Sequence, residues 1–390
     1  MKRIGELELE YVKEVLENSF KTSLNSVFTN RLESSFAELF DVPYAVAHIN
    51  GTATLHTALA ALNIKQGDEV IVPPLTMSSP SLAVLQNGSV PVFADVDIRT
   101  FTINPDDVDK QITEKTRAVM PVSLYGLAPD YDNILKICKS KQIPVIEDNA
   151  ECFLGTYKGR LVGTFGDFAS FSFQASKHLT SGEGGMLITR SETLANEARR
   201  FSSLGYAGVN AKQGKISRND IQDPNYSRHV SLGFNYRMSE IQAALALAQL
   251  QRADELVRVR QNVAELFDKA IEGSDLIVRQ YEPEGLRNSY WSYSCVLKTD
   301  KPGKDWYAFR DLFQNNGGDG FYAAWKLTYH EPLFTGYIQN VKGVHQKYEP
   351  GLCPNAEYLQ PRMIQMKTNY WDLTEAEHQA EILYKTIKQF

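Results

Sequence analysis

A lysine placed between an apolar run and a glycine-rich turn is the first residue in this chain that could do chemistry. It lies in Phe171-Ser172-Phe173-Gln174-Ala175-Ser176-Lys177-His178-Leu179-Thr180-Ser181-Gly182-Glu183-Gly184-Gly185, and twenty-nine positions before it another apolar run ends in Glu147-Asp148. A lysine amine can form an imine with a carbonyl cofactor, and a carboxylate can keep that cofactor's ring nitrogen protonated. These are the needs of pyridoxal 5'-phosphate (PLP) chemistry. The amine must be neutral to attack an aldehyde, which takes partial burial or a nearby cation. The phosphate needs backbone N–H groups, hydroxyls and a helix N-terminus. Lys177 alone would read as one more surface lysine, so the constellation has to carry the argument.

Its other members lie where strands end, and ligands of open α/β sheets sit beyond the carboxyl ends of the strands. Asn50-Gly51-Thr52-Ala53 follows a strand-like run and opens a helix. A phosphate cradle and a plain helix cap explain it equally well. Pro74-Leu75-Thr76-Met77-Ser78-Ser79 also follows a strand and reads as one face of a pocket or as an ordinary turn. Asp148 at a strand end favours a site residue over an edge charge. Ser172, between two phenylalanines, is either a half-buried strand serine or a phosphate ligand. Gly182-Glu183-Gly184-Gly185 lacks the spacing of a nucleotide P-loop and reads as a turn needing glycine's freedom. The histidines form no His-Glu-x-x-His pattern, and His178 reads as a packing or hydrogen-bonding residue.

The elements around these residues alternate. Helical spacing over 6–18 and 29–40 is followed by strand-like runs at 44–49, 70–72, 90–96, 117–122 and 143–147, with helical segments at 52–62, 80–87 and 129–141 between them. Pro91 puts its strand near an edge or at a strand start. This alternation predicts an α/β fold with a mostly parallel sheet covered on both faces. Short strands at 168–173 and 186–189 flank the Lys177 turn. Residues 192–203 read as a helix, 206–229 as a long polar loop, and 238–271 as one or two helices. Beyond about residue 275, an aromatic strand over 290–297 mixes with helices over 304–315 and 374–388.

Composition narrows the class. The chain has 390 residues, 43% hydrophobic and 23% charged, which suits one large domain plus a smaller one. A net charge of -6 argues against a general nucleic-acid binder. Cys138, Cys152, Cys295 and Cys353 are scattered, which fits neither a zinc site nor a disulfide framework and points to a reduced, cytoplasmic setting. There is no apolar leader at Met1-Lys2-Arg3 and no run long enough to span a membrane.

Five motifs in order give the chain a family resemblance. Asn50-Gly51-Thr52-Ala53-Thr54-Leu55-His56, Gly67-Asp68-Glu69-Val70-Ile71-Val72-Pro73, Glu147-Asp148-Asn149-Ala150-Glu151, Ser172 to Gly185 through Lys177, and Gly233-Phe234-Asn235-Tyr236-Arg237-Met238 run through most of its length. The chain resembles the PLP-dependent sugar aminotransferases of the DegT/DnrJ/EryC1/StrS group, within the aspartate-aminotransferase fold type. The resemblance implies fold type I: a large domain, residues 1–250, with a mostly parallel seven-stranded mixed sheet between helices, and a smaller C-terminal α+β domain, residues 251–390. The N-terminal helix is a candidate to pack on the small domain.

The resemblance also implies roles. Lys177 would hold PLP and move protons, and Asp148 would pair with the pyridine nitrogen. Backbone N–H groups of Thr52 and Ala53, with the Ser172 hydroxyl, would bind the phosphate, and Gly51 belongs to the same cofactor-binding turn. Asn235 would reach the phosphate from a neighbouring subunit, making a homodimer with shared active sites. Glu151 would sit near the phenolic oxygen. Met77 stands where relatives place an aromatic residue against the ring. The implied reaction moves an amino group from an amino acid, L-glutamate by expectation, to a nucleotide-linked keto-sugar, with no nucleic acid or membrane involved. A PLP-dependent sugar dehydratase and a non-catalytic PLP-fold partner protein are the alternatives. In one dehydrating branch a histidine replaces the lysine, and Lys177 argues against that branch.

Overall fold

The computed structural model describes residues 2–18, 27–212, 216, 218–299, 301–338 and 344–390. Its central sheet is built from β1 (Tyr44–His48), β2 (Glu69–Val72), β3 (Val90–Phe93), β4 (Thr116–Val119), β5 (Ile146–Asp148), β6 (Phe168–Ser172) and β7 (Gly185–Thr189). Parallel bridges Val119–Val145 and Val122–Asp148 join β4 to β5. The spatial order is therefore β1-β7-β6-β5-β4-β2-β3. Only β7 runs against its neighbours, pairing antiparallel with β1 and β6. This is the seven-stranded mixed sheet that the resemblance implied. β3 is an edge strand, which is where Pro91, lacking an N–H, costs no ladder bond.

Strands buried on both faces read as continuous apolar runs, and these do. Val70 and Val72 face one core layer, with Leu55 and Leu59, while Ile71 faces another, with Ile134 and Val145. On β7, Leu187 packs with the first layer, and Met186 and Ile188 pack with a third, containing Phe36, Phe40 and Leu247. Phe36 stacks on Phe40 at 4.8 Å and meets Phe171 edge-on at 5.1 Å. Burying each such ring contributes about 1.5–3 kcal/mol. They anchor β6, and with it the start of the lysine segment.

Helix α1 (Glu6–Glu17) lies against α7 (Glu240–Gln251). The buried Glu8 holds Arg252 at 2.7 Å and Gln249 at 2.5 Å. Helix α3 (Gly51–Ala61) is buried nearly all round, which its alanines and threonines permit. After α8 (Ala253–Ile271), a second, antiparallel sheet forms from Ile277–Arg279, Ser292–Leu297 and Met363–Lys367. Phe267, Tyr293, Phe309, Phe313, Ile364 and Leu383 make its core with α8, α9 (Trp306–Asn315) and α10 (Leu373–Gln389).

Several elements lie outside the sequence reading: the helix Pro105–Gln111, the strand Met363–Lys367, the helix Pro354–Leu359 and a π-helical turn at Leu333–Tyr337. The segment 206–229, read as a loop, contains the short helix Arg218–Gln222, and its residues 213–215 and 217 are outside the described set.

Candidate active site

One cavity of about 540 Å³ sits beyond the carboxyl ends of β1, β2, β5 and β6. Its lining includes Gly51, Thr52, Met77, Asp148, Glu151, Ser172 and Lys177. Seven of the nine residues singled out in the sequence are therefore brought together. Ala53 is buried one step further along α3, and Asn235 is exposed outside the cavity.

Asn50 has extended backbone angles and caps α3, its Oδ1 accepting the Ala53 N–H at 2.8 Å. Among the described residues, the amides of Gly51 and Thr52 then have no acceptor in the chain. Gly51 is required by close approach, since a Cβ there would stand 2.9 Å from the Cβ of Ser172. Gly185 is held the same way, 2.7 Å from the Asn50 backbone. Two free amides, the Ser172 hydroxyl and a helix N-terminus thus share one end of the cavity, as a phosphate requires.

Asp148 is buried at the end of β5. Its Oδ1 accepts the Ala150 N–H at 3.0 Å, and among the described residues its other oxygen has no donor. Burial is the main reason its carboxyl is pushed up to about 6, opposed by the Ala150 amide and by Lys177. A carboxylate left with an unfilled acceptor on a cavity wall is what a protonated pyridine nitrogen would satisfy. Glu147, next to it, does structural work instead. It is buried and accepts the amides of Gly163, Phe165 and Gly166 at 2.7 Å each.

Lys177 Nζ donates to Glu151 Oε1 at 3.2 Å and lies 4.2 Å from the Trp291 ring centre. Glu151 Oε2 accepts the Tyr125 amide at 3.1 Å. His178 is buried and bonded to the Ser289 carbonyl at 2.9 Å; burial, then Arg260, holds it well below the usual histidine range, so it is neutral. Met77 is half-exposed, and its sulfur accepts both the amide (3.1 Å) and the hydroxyl (3.0 Å) of Ser79. Ser79 in turn bonds Thr52 Oγ1 at 2.8 Å, tying the Met77 loop to the first turn of α3. The residues present fit PLP: an amine, an acceptor for the ring nitrogen, a thioether wall and a phosphate cradle.

Sequence reasoning missed Trp291, which lines the cavity from just before the strand Ser292–Leu297, whereas Ser79 falls in the loop read as one face of a pocket. No local pattern marks a tryptophan more than a hundred residues away as a wall of this site.

Comparisons agree with this geometry. The profile of the DegT/DnrJ/EryC1/StrS aminotransferase family matches residues 2–385. GDP-perosamine synthase of Escherichia coli O157:H7 is 38% identical over 292 residues, 75% of each chain. The Vibrio cholerae GDP-perosamine synthase is 32% identical over 361 residues, 89% of this chain and 92% of the relative. The crystal structure of 3-amino-5-hydroxybenzoic acid synthase superposes with a TM-score of 0.86 at 27% identity, covering 99% of this chain and 97% of that one. The fold and site define an aminotransferase that works with PLP. The chain belongs to the DegT/DnrJ/EryC1/StrS aminotransferase family.

Proposed function

We propose that this enzyme transfers an amino group from L-glutamate to a nucleotide-linked keto-sugar, giving an amino sugar for polysaccharide, glycan or natural-product biosynthesis. The observation that carries the reading is that Lys177, Asp148 and the first turn of α3 face one cavity. Two relatives named for a GDP-linked amino sugar support the substrate class.

When bound, PLP supplies the electron sink that makes the substrate C–H bond acidic. Lys177 Nζ takes that proton from the donor's α-carbon and returns one to the sugar carbon that receives nitrogen. Asp148, once ionised, holds the ring nitrogen protonated through its free oxygen. The amides of Gly51 and Thr52, with the Ser172 hydroxyl, bind the phosphate, and Ala53 supports the turn through its bond to Asn50. Met77, on the cavity wall, would contact the ring face through its thioether. Glu151 pairs with Lys177 Nζ and would lie near the phenolic oxygen. Trp291 and Trp325, 6.0 Å apart and nearly parallel, wall the substrate side.

In this reading the active unit is a homodimer, and the exposed Asn235 completes the neighbour's phosphate site. The division falls at the end of α7, with residues 1–250 holding the cofactor and 251–390 forming the smaller unit. The cytoplasm is the expected compartment, since all four cysteines are buried and free. Among the described residues, no helix is long and apolar enough to cross a membrane.

The test is a panel of keto-sugar nucleotides, GDP-linked ones first, incubated with glutamate and read by mass spectrometry. Exchange of a carbonyl oxygen for an amine establishes the reading. Loss of water without nitrogen gain points to dehydration, and no product from any sugar overturns the substrate class.

A further inference from the structure

The peptide that carries Lys177 is held from behind by cations that have no carboxylate of their own. Arg260 on α8 donates to the carbonyls of Ser176 (2.9 Å), Lys177 (3.1 Å) and Trp291 (2.8 Å), and to Thr368 Oγ1 at 3.1 Å. Arg3 donates to the Ala175 carbonyl and to the Lys177 carbonyl, the latter at 2.7 Å. The Trp291 indole adds a bond to the Ser176 carbonyl at 3.1 Å. Three consecutive carbonyls are thus fixed by distant side chains: Ala175 by Arg3, Ser176 by Arg260 and Trp291, and Lys177 by both arginines.

Arg3 is itself built in. Its carbonyl accepts Gln249 Nε2 at 2.9 Å and Arg252 at 3.2 Å, and its guanidinium lies over the Trp371 ring. Gln249 also reaches the other end of the lysine segment, accepting the Thr180 amide at 3.3 Å. Among the described residues, neither Arg3 nor Arg260 pairs with an acid, and the Nε of each is buried without a partner. A buried cation without a counter-ion is costly. The cost shows in Arg260, which burial first and Arg3 second bring down to about 9.

We propose that Arg3 and Arg260 are positioning residues for Lys177, fixing its backbone and adding positive potential at the cofactor's attachment point. This rests on the assignment of Lys177 as the lysine that holds PLP. The charged groups around that lysine are Glu151 at 3.2 Å, Asp148, and the two arginines; His178 is neutral. The arginines oppose the two acids, so the field at the lysine is a balance that either arginine can tip.

The experiment is a pH titration of the visible absorbance of the PLP-loaded protein, with kcat and KM for glutamate. Removing a positive charge favours the protonated form of the chromophore. In Arg3→Met the midpoint should therefore rise by roughly 0.3–1 unit, and kcat should fall about 3- to 10-fold, with KM little changed. Arg3→Lys keeps the charge but loses the fork, so it should restore the midpoint and only part of kcat. Arg260→Lys, the second variant, should disturb kcat in the same sense while leaving the midpoint near that of the parent. Arg3→Met with the parent's midpoint and kcat would overturn the proposal. An unmutated protein with no visible band would instead overturn the assignment of Lys177.

Discussion

Lys177 and Glu151 form an ion pair, Nζ to Oε1, at 3.2 Å, and both side chains are largely shielded from water. The Tyr125 amide fixes the other Glu151 oxygen. Tyr125 has φ +60, a left-handed conformation that costs a non-glycine residue about 1–3 kcal/mol and marks a site where the backbone is constrained. The pair is the charge partner of the amine whenever that amine is free. Changing Glu151→Gln keeps an acceptor for the Tyr125 amide and removes the charge. Turnover should then fall by roughly 3- to 10-fold, because the amine loses the charged partner that orients it. Parent kcat in Glu151→Gln would show that the Glu151 charge plays no part in placing the amine.

Asp148 links cofactor binding to pH. Its folded-state value of about 6 is above that of an ordinary aspartate, chiefly through burial. Its protonated form therefore favours the folded apo-protein, and that contribution is lost as pH rises from about 4 through about 6. Apo Asp148→Asn should be more stable than the apo parent at pH 7.5, by on the order of 1–3 kcal/mol. The gap should narrow towards pH 5. The same substitution should lower PLP affinity and turnover, since the acceptor for the ring nitrogen loses its charge. Thermal melts at the two pH values, with PLP titration, test both halves.

Much of this is legible in the sequence itself. Lys177, Asp148 and Gly51 are each adjacent to an apolar run, and strand ends in an α/β sheet converge by topology, so reading the strands also reads the site. The helix Pro105–Gln111 carries its own local signals. Asn104 caps it, accepting the Asp106 amide at 3.0 Å, and proline sits in its first turn. Other parts had no local signal. Met363–Lys367 has no strand-like alternation and is a strand because Ser292–Leu297 pairs with it. Arg3, Arg260 and Trp291 reach the lysine segment only through tertiary packing. The Met77 departure was visible, but its anchoring by Ser79 was not.

Gly51 and Ser172 can be tested as a pair. Gly51→Ala should push the first turn of α3 off β6 and weaken PLP binding by roughly 10-fold or more, as a clash of 1–3 kcal/mol implies. Adding Ser172→Gly removes the clashing Cβ. The double variant should bind PLP more tightly than Gly51→Ala alone, although it lacks the serine hydroxyl. If Gly51→Ala binds PLP like the parent, the phosphate is not held at this turn.

Subunit mixing tests the shared site. Lys177→Ala and Asn235→Ala should each be impaired alone. If Asn235 serves the neighbour, a mixed dimer has one site with both native residues, and re-assorted mixtures should recover up to about a quarter of the parent activity. Recovery no better than the average of the two separate variants would place Asn235 in its own subunit's site or outside any site.

The most direct measurement is the visible absorbance of the purified, PLP-loaded protein before and after L-glutamate, in the parent and in Lys177→Ala. The account predicts a yellow band in the parent that bleaches on adding glutamate, and no such band from attachment to the protein in Lys177→Ala. A parent protein that stays colourless with PLP, or a Lys177→Ala variant that keeps the parent's band and bleaches normally, would contradict it.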